Sequence, residues 1–313
     1  GYNIIRTRYM TMMDRDLGAA SNTPSQTDDV IKTYGLLYQW GRKDPFPPAK
    51  IRTCVGSPGV IGTEMVSIYD ASGNLINPMD ATHQVTSVTA GNISDDITPN
   101  IDYGIKHPIT FCTRMANDYL GSYSSQSWIY GCYNDGTVTS NRWKKSILLW
   151  GGGMKDETSP NYYNFLDTQK SIYDPCPEGW CLPTLEVWSN FTITECITSD
   201  PSLYNCITKQ NFPLPNGYLS NTVFGRQFYI NADNTETAFY PGSGFRQGEN
   251  GTIAFVGQFA SAWSSSIFHN STPNGYSCSI LGANHVFTHS VRFGHQSDTF
   301  PVRCVKESDM DTR

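Results

Sequence analysis

Charge is scarce in this chain of 313 residues: Asp, Glu, Lys and Arg make up 16% of it, against about 25% in ordinary soluble domains. Basic clusters are missing as well. No Lys/Arg run exceeds the pair Lys144-Lys145 and the net charge is −6, so nothing draws in a polyanion and nucleic acid is not an expected partner. No apolar stretch approaches the ~18 residues of a membrane span; the longest surrounds Ile147-Leu148-Leu149-Trp150. The opening Gly1-Tyr2-Asn3 has neither the basic nor the apolar part of an export signal, as expected of a mature or truncated chain.

Catalytic signatures are missing in the same way. Ser264 to Ser266 lack a Gly-x-Ser-x-Gly context, and Gly151-Gly152-Gly153 lacks the Lys-Ser/Thr of a phosphate loop, so it reads as a turn. His285, His289 and His295 stand at even-numbered separations that would share one face of a continuous strand. Gly294 interrupts that strand, and no Cys or carboxylate cluster completes a ligand set. Asn231 to Glu236 begins like a calcium loop, but Glu236 and Gly242 stand where that loop needs Gly and Glu, and a hairpin turn is expected instead. The chain is therefore read as no enzyme, with no cofactor and no metal.

Material for a core is plentiful: 38% of residues are hydrophobic and 13% aromatic. Abundant Asn, Ser, Thr, Gly and Tyr suggest an extracellular, β-rich protein. Nine cysteines are many for a cytosolic chain, and their odd number leaves at least one thiol unless pairing is intermolecular. Cys54 and Cys112 flank the middle of the chain and could staple its base. Cys196 and Cys206 enclose a short loop and form a second possible pair. Gln227–Ile230 and Thr237–Tyr240 read as two strands joined by a turn. Val302 and Cys304 alternate with Arg303 on a terminal strand, apolar face inward. Short helices are expected around Gly35–Trp40, Ile101–Lys106 and Pro183–Trp188, the last opening on a Pro suited to a first turn.

Four separated phrases stand out: Asp14-Arg15-Asp16-Leu17-Gly18-Ala19, the stretch from Tyr38-Gln39-Trp40-Gly41-Arg42 to Pro47, Tyr173-Asp174-Pro175-Cys176-Pro177-Glu178-Gly179-Trp180, and Val302-Arg303-Cys304-Val305-Lys306-Glu307. Together they resemble the Fibrobacter succinogenes major paralogous domain, a family found on surface proteins of Bacteroidetes. The resemblance implies an α+β, C-type-lectin-like fold: a twisted, mostly antiparallel sheet with few short helices and long loops. It covers residues near 11–47 and 170–306, whereas 48–170 match less specifically. The expectation is one elaborated domain over 1–313, with a probable insertion at 48–110.

The same resemblance implies a disulfide between Cys176 and Cys304, with two buried thiols as the alternative. Cys181 stands where the family carries Arg and is the candidate for the unpaired thiol. Trp40, Trp150, Trp180 and Trp188 belong to the fold signature and are expected in the core. The calcium-binding motifs of sugar-binding C-type lectins are absent. Formylglycine-generating enzymes share the implied fold, but here Cys278 stands alone before Cys304, without the cysteine pair of their copper site.

What remains points to recognition. From Trp263 to His295 the chain is rich in side chains suited to contact and poor in apolar periodicity, and its candidate ligand-binding residues are Trp263, Phe268, His269, Asn270, Tyr276, Asn284, His285, His289 and Arg292. The expected function is non-catalytic adhesion at the extracellular or outer-membrane surface, in a lipoprotein or a fimbrial tip. The expected partner is a glycan or a host or bacterial surface protein. The alternatives are a structural pilus subunit without a ligand of its own, contacting other pilus subunits, and a ligand-binding protein diversified by a retroelement within 264–299.

Overall fold

The computed structural model describes residues 10–22, 32–50, 64–65, 88–89, 98–108, 110–113, 127–129, 148–151, 162–163, 170–184, 187, 206–213, 222–229, 235–256, 259–265, 268–269, 277–282, 291–293 and 295–310. Among these, strands dominate and helices are few, with a curled antiparallel sheet, as in an α+β protein. The central sheet has five strands in the order Ile253–Ala254, Phe245–Arg246, Thr299–Pro301, Leu37–Gln39 and Pro45–Phe46. Each pairing in it is antiparallel. Leu37, Tyr38 and Gln39 lie opposite Pro301, Phe300 and Thr299, so the sheet joins the two ends of the chain.

That pairing overturns the helix expected around Gly35–Trp40. The apolar run is too short for its period to be decisive, and long-range hydrogen bonding to Thr299–Pro301 makes it a strand buried on both faces. The turn after it depends on Gly41, whose φ is +76° and whose added Cβ would lie 2.4 Å from Leu149 Cδ1. The helix expected near residues 101–106 is present as Thr98–Lys106. Of the third expected helix Val187 is helical, while Trp188 lies outside the described residues. The expected hairpin forms between Thr222–Tyr229 and Thr237–Pro241, with Cys206–Pro213 on the far side of Thr222–Tyr229. A second three-stranded sheet orders Phe259–Trp263, Ser277–Gly282 and Val291–Phe293.

Trp40, Trp150 and Trp263 form the centre of the core, with ring centroids 4.7, 5.5 and 5.6 Å apart. Phe300 closes on Trp263 edge-on at 4.8 Å. Such aromatic pairs contribute roughly 0.5–1.5 kcal/mol each beyond the area they bury. The indole N–H of Trp263 donates to the Tyr38 carbonyl at 2.6 Å, and that of Trp128 to the Trp40 carbonyl at 2.8 Å. Trp263 is thus corrected from a candidate ligand contact to a core residue: it is fully buried and its polar atom is used. Trp180 is partly buried against the same cluster.

All four phrases meet here. The first runs beside the last, with Met13 N–H donating to the Cys304 carbonyl at 2.9 Å and Leu17 N–H to that of Val302 at 2.7 Å. The third joins them through Trp180–Cys181, which pairs antiparallel with Val305–Lys306, and through the disulfide between Cys176 and Cys304. Cys181 is a buried thiol. So is Cys112, which overturns its pairing with Cys54: the Cys112 sulfur lies 3.9 Å from the Arg42 guanidinium, inside the core. Cys54 and Cys196 lie outside the described residues, and Cys206 begins a strand.

The terminal phrase does not alternate as expected. Val302, Arg303 and Cys304 are all buried, and the strand is interrupted across them. Arg303 Nε donates to Asp16 Oδ1 at 2.8 Å, Nη2 donates to the Phe239 carbonyl at 2.8 Å, and the guanidinium lies 3.8 Å from the centre of the Tyr240 ring. Burial pushes the Asp16 carboxyl upward, and Arg303 pulls it back part of the way. A buried pair of this kind punishes half-removal most. Asp16→Ala is expected to cost about 3–5 kcal/mol in denaturant unfolding, and pairing it with Arg303→Met to recover part of that loss. Replacing Cys176 and Cys304 together is expected to cost on the order of 5 kcal/mol, because the bridge closes a loop spanning 128 positions; the same unfolding measurement checks it.

Candidate functional site

The stretch singled out for recognition leaves and re-enters the scaffold at two buried anchors. At its exit, Ser264 and Ser265 are fully buried, and Ser265 N–H donates to the Pro183 carbonyl at 2.9 Å. At its return, Gln296, Ser297 and Asp298 are buried in turn. Gln39 Nε2 donates to the Ser297 carbonyl at 2.8 Å and Ser127 Oγ to Gln296 Oε1 at 2.7 Å. The Asp298 carboxylate accepts the Gly248 N–H at 2.6 Å and the His295 N–H at 3.3 Å. Gly248 is needed for this approach, since an added Cβ would lie 2.0 Å from Ser297 Oγ.

Between the anchors the backbone is described for three strands. Phe268–His269 pairs antiparallel with Tyr162–Tyr163, placing Phe268 opposite Tyr163 and His269 opposite Tyr162. Arg292 lies opposite Cys278 on the edge strand Val291–Phe293. The remaining candidates, Asn270, Tyr276, Asn284, His285 and His289, lie outside the described residues. The anchor residues escape sequence reading: Gln39, Ser127, Gln296 and Asp298 are polar side chains without a periodic pattern, and their burial comes from partners up to 258 positions away. The doubled Ser after Trp263 is the one local hint.

The described residues also form a cleft of about 510 Å³ lined from all four phrases. Leu17, Leu36, Tyr38 and Pro175 supply an apolar floor, with Lys43, Lys170, Glu178 and Glu307 around it. One wall is braced by Lys170, whose ammonium donates to the carbonyls of Cys176 and Pro177 at 2.6 Å and to that of Trp180. All three of its protons are used in holding the Asp-Pro-Cys-Pro-Glu-Gly-Trp turn. Arg42 does comparable work at the C-terminal end of Thr98–Lys106, donating to the carbonyls of Gly104, His107, Pro108 and Thr110 at 2.6–3.3 Å. These last carbonyls of a helix have no partner within it, and a cation there complements the dipole. Among the described residues no three His, Cys, Asp or Glu side chains gather as a metal site would require.

Behind the cleft, the Asp174 carboxylate accepts the N–H of Cys176 at 2.8 Å and of Leu182 at 3.0 Å. Burial pushes its pKa up to about 6, against the pull of the two N–H groups and of Lys170 and Lys43. Compared with known proteins, the chain matches no family model, no curated protein and no solved structure.

The folded state therefore holds the Asp174 proton more tightly than the unfolded chain, whose carboxyl titrates near 3.8. The stabilisation by that proton is fully present below the unfolded value and is lost as pH rises through about 6. It amounts to about 3 kcal/mol at most. Denaturant midpoints measured from pH 4 to 7 should fall for the wild type and fall less for Asp174→Asn, which keeps one acceptor and does not ionise.

Proposed function

We propose that this chain is a non-catalytic binding module of the cell surface, a member of the major paralogous domain family that its phrases resemble, with a C-type-lectin-like fold. It acts as an adhesion domain of a surface lipoprotein or fimbrial tip, and its partner is a glycan or a host or bacterial surface protein. The observation that carries this reading is the clamping of a polar, aromatic-rich segment at both ends. Exit at Ser264-Ser265 and return at Gln296-Ser297-Asp298 are buried in the scaffold, so the segment begins and ends at fixed points. Recognition loops on a rigid scaffold are a general solution to binding. Pre-set ends reduce the ordering entropy that a loop loses when it binds.

Composition supports the same reading. Between Ser266 and Gly294 the one charged residue, with His counted neutral, is Arg292, whereas Asn, Ser, Thr and Phe recur. Such a segment recognises through stacking and adaptable hydrogen bonds rather than through charge.

A glycan and surface-protein array is the direct test. Against the array's strongest binder, Phe268→Ala, Asn270→Ala and Tyr276→Ala are each expected to weaken binding by ~1 kcal/mol or more at an unchanged melting temperature. Unchanged affinity in all three would move the surface away from this segment. Failure of every array member to bind would favour the structural pilus subunit.

A further inference from the structure

We infer that the edge hairpin of the central sheet, Phe245–Arg246 with Ile253–Ala254, carries a binding site for a neutral sugar ring, stacked on Phe255 and held at its rim by the amide of Gln247. The site lies outside the segment between Ser265 and Gln296 and does not depend on it.

Phe255 is the residue that points to a ligand. Its φ is +58°, and among the described residues it is the one non-glycine in the left-handed region, which is costly for a bulky L side chain. In an extended strand its side chain would leave on the face opposite to that of Ala254 and its partner Phe245. The turned backbone instead lays the Phe255 ring parallel to that of Phe245, with 5.6 Å between centroids and 8° between planes. Gly244 makes the room: its φ is +68°, and an added Cβ would lie 2.4 Å from the Ala254 carbonyl oxygen and 2.8 Å from the Val256 nitrogen.

The pair ends a column of rings that runs out of the core. Trp263, Phe300, Phe245 and Phe255 follow one another at centroid separations of 4.8, 5.1 and 5.6 Å. Trp263 and Phe300 are buried, whereas Phe245 and Phe255 are partly exposed. The last ring is braced from within and strained in its backbone, yet open to solvent. Strain of that kind gathers at positions held for contact with a ligand. An aromatic face is the negative side of its ring and attracts the weakly positive C–H groups of a sugar.

The rim beside the rings suits hydroxyl groups. Gln247 lies two residues from Phe245, about 7 Å along the strand and on the same face, and its N–H donates to the Thr252 carbonyl at 2.8 Å. Thr252 Oγ1 is 2.7 Å from Asn250 Oδ1 and 3.1 Å from Gln247 Oε1, and its single proton serves one of the two. The shorter contact takes it, which leaves the half-exposed Gln247 amide with an acceptor and donors to offer. A sugar hydroxyl, itself donor and acceptor, matches both. The tip is fixed before a ligand arrives: Gly248 N–H donates to Asp298 Oδ1 at 2.6 Å and Arg246 Nη1 to the Gly251 carbonyl at 2.9 Å.

The test titrates the whole chain with cellotetraose, maltotetraose and the tetramer of N-acetylglucosamine, following binding by calorimetry and saturation-transfer NMR. At least one is expected to bind with a dissociation constant of about 1 mM or lower. Phe255→Gly removes the ring and accepts the left-handed backbone, and Gln247→Ala alters a half-exposed side chain; each should weaken that binding ~10-fold at an unchanged melting temperature. Phe255→Tyr should keep it, and so should Lys106→Gln, on the helix away from the hairpin. No binding below about 10 mM by any of the three, or full affinity in both hairpin variants, would overturn the proposal. A lower melting temperature with full affinity in Phe255→Gly would assign the ring to the fold alone. Acetyl-Gly-Trp-Gly-amide binding more tightly than every saccharide would make the platform a protein contact instead. Saccharide binding lost in Phe268→Ala but kept in Phe255→Gly would overturn this site and leave the function proposed above intact.

Discussion

Arg303 is fully buried between Val302 and Cys304, where the strand is interrupted, and the meeting of the two ends of the chain depends on how its charge is satisfied. Val302 joins the tryptophan cluster, Cys304 is bonded to Cys176, and Arg303 sits between Asp16 and the Tyr240 ring. A buried guanidinium needs acceptors within reach, and for Arg303 these are a carboxylate and a carbonyl. Asp16 must therefore come from the far end of the chain. Once it does, the hydrogen bonds from Met13 and Leu17 to the terminal phrase are set, and so is the entry of Leu37–Gln39 into the central sheet.

The core is a frame of internally satisfied polar groups. The frame is made of residues whose polar atoms are used internally: the Trp128 and Trp263 indoles on carbonyls, Gln39 between the Cys112 and Ser297 carbonyls, Arg42 over a helix end, Lys170 inside a turn. Groups satisfied in this way have little left to offer a ligand.

The phrases read from the chain, with their Trp, Gly, Cys and Pro, mark places where a backbone turns, a ring packs or a bridge closes, and such requirements leave a mark on sequence. The helix ending before Pro108 and the pairing of Thr222–Tyr229 with Thr237–Pro241 were legible for that reason, and the bond between Cys176 and Cys304 through the resemblance. Gly41 shows the mechanism: a positive φ and a neighbour at contact distance leave room for no other residue.

What was not legible depended on who the partner would be. Trp263 reads equally well as an exposed platform or a core ring, because an indole serves either, and only the arrival of Tyr38, Trp150 and Phe300 around it decides. Leu36 to Trp40 has a composition compatible with helix or strand, and pairing with residues about 260 positions away selects the strand. Arg303 looked outward because charge in water is the cheap default, until Asp16 is placed beside it. Local chemistry by itself determined the turns and the supply of apolar rings; tertiary structure alone decided which cysteines meet and which polar groups are buried, because the cost of burying one is set by a partner that the neighbouring sequence does not contain.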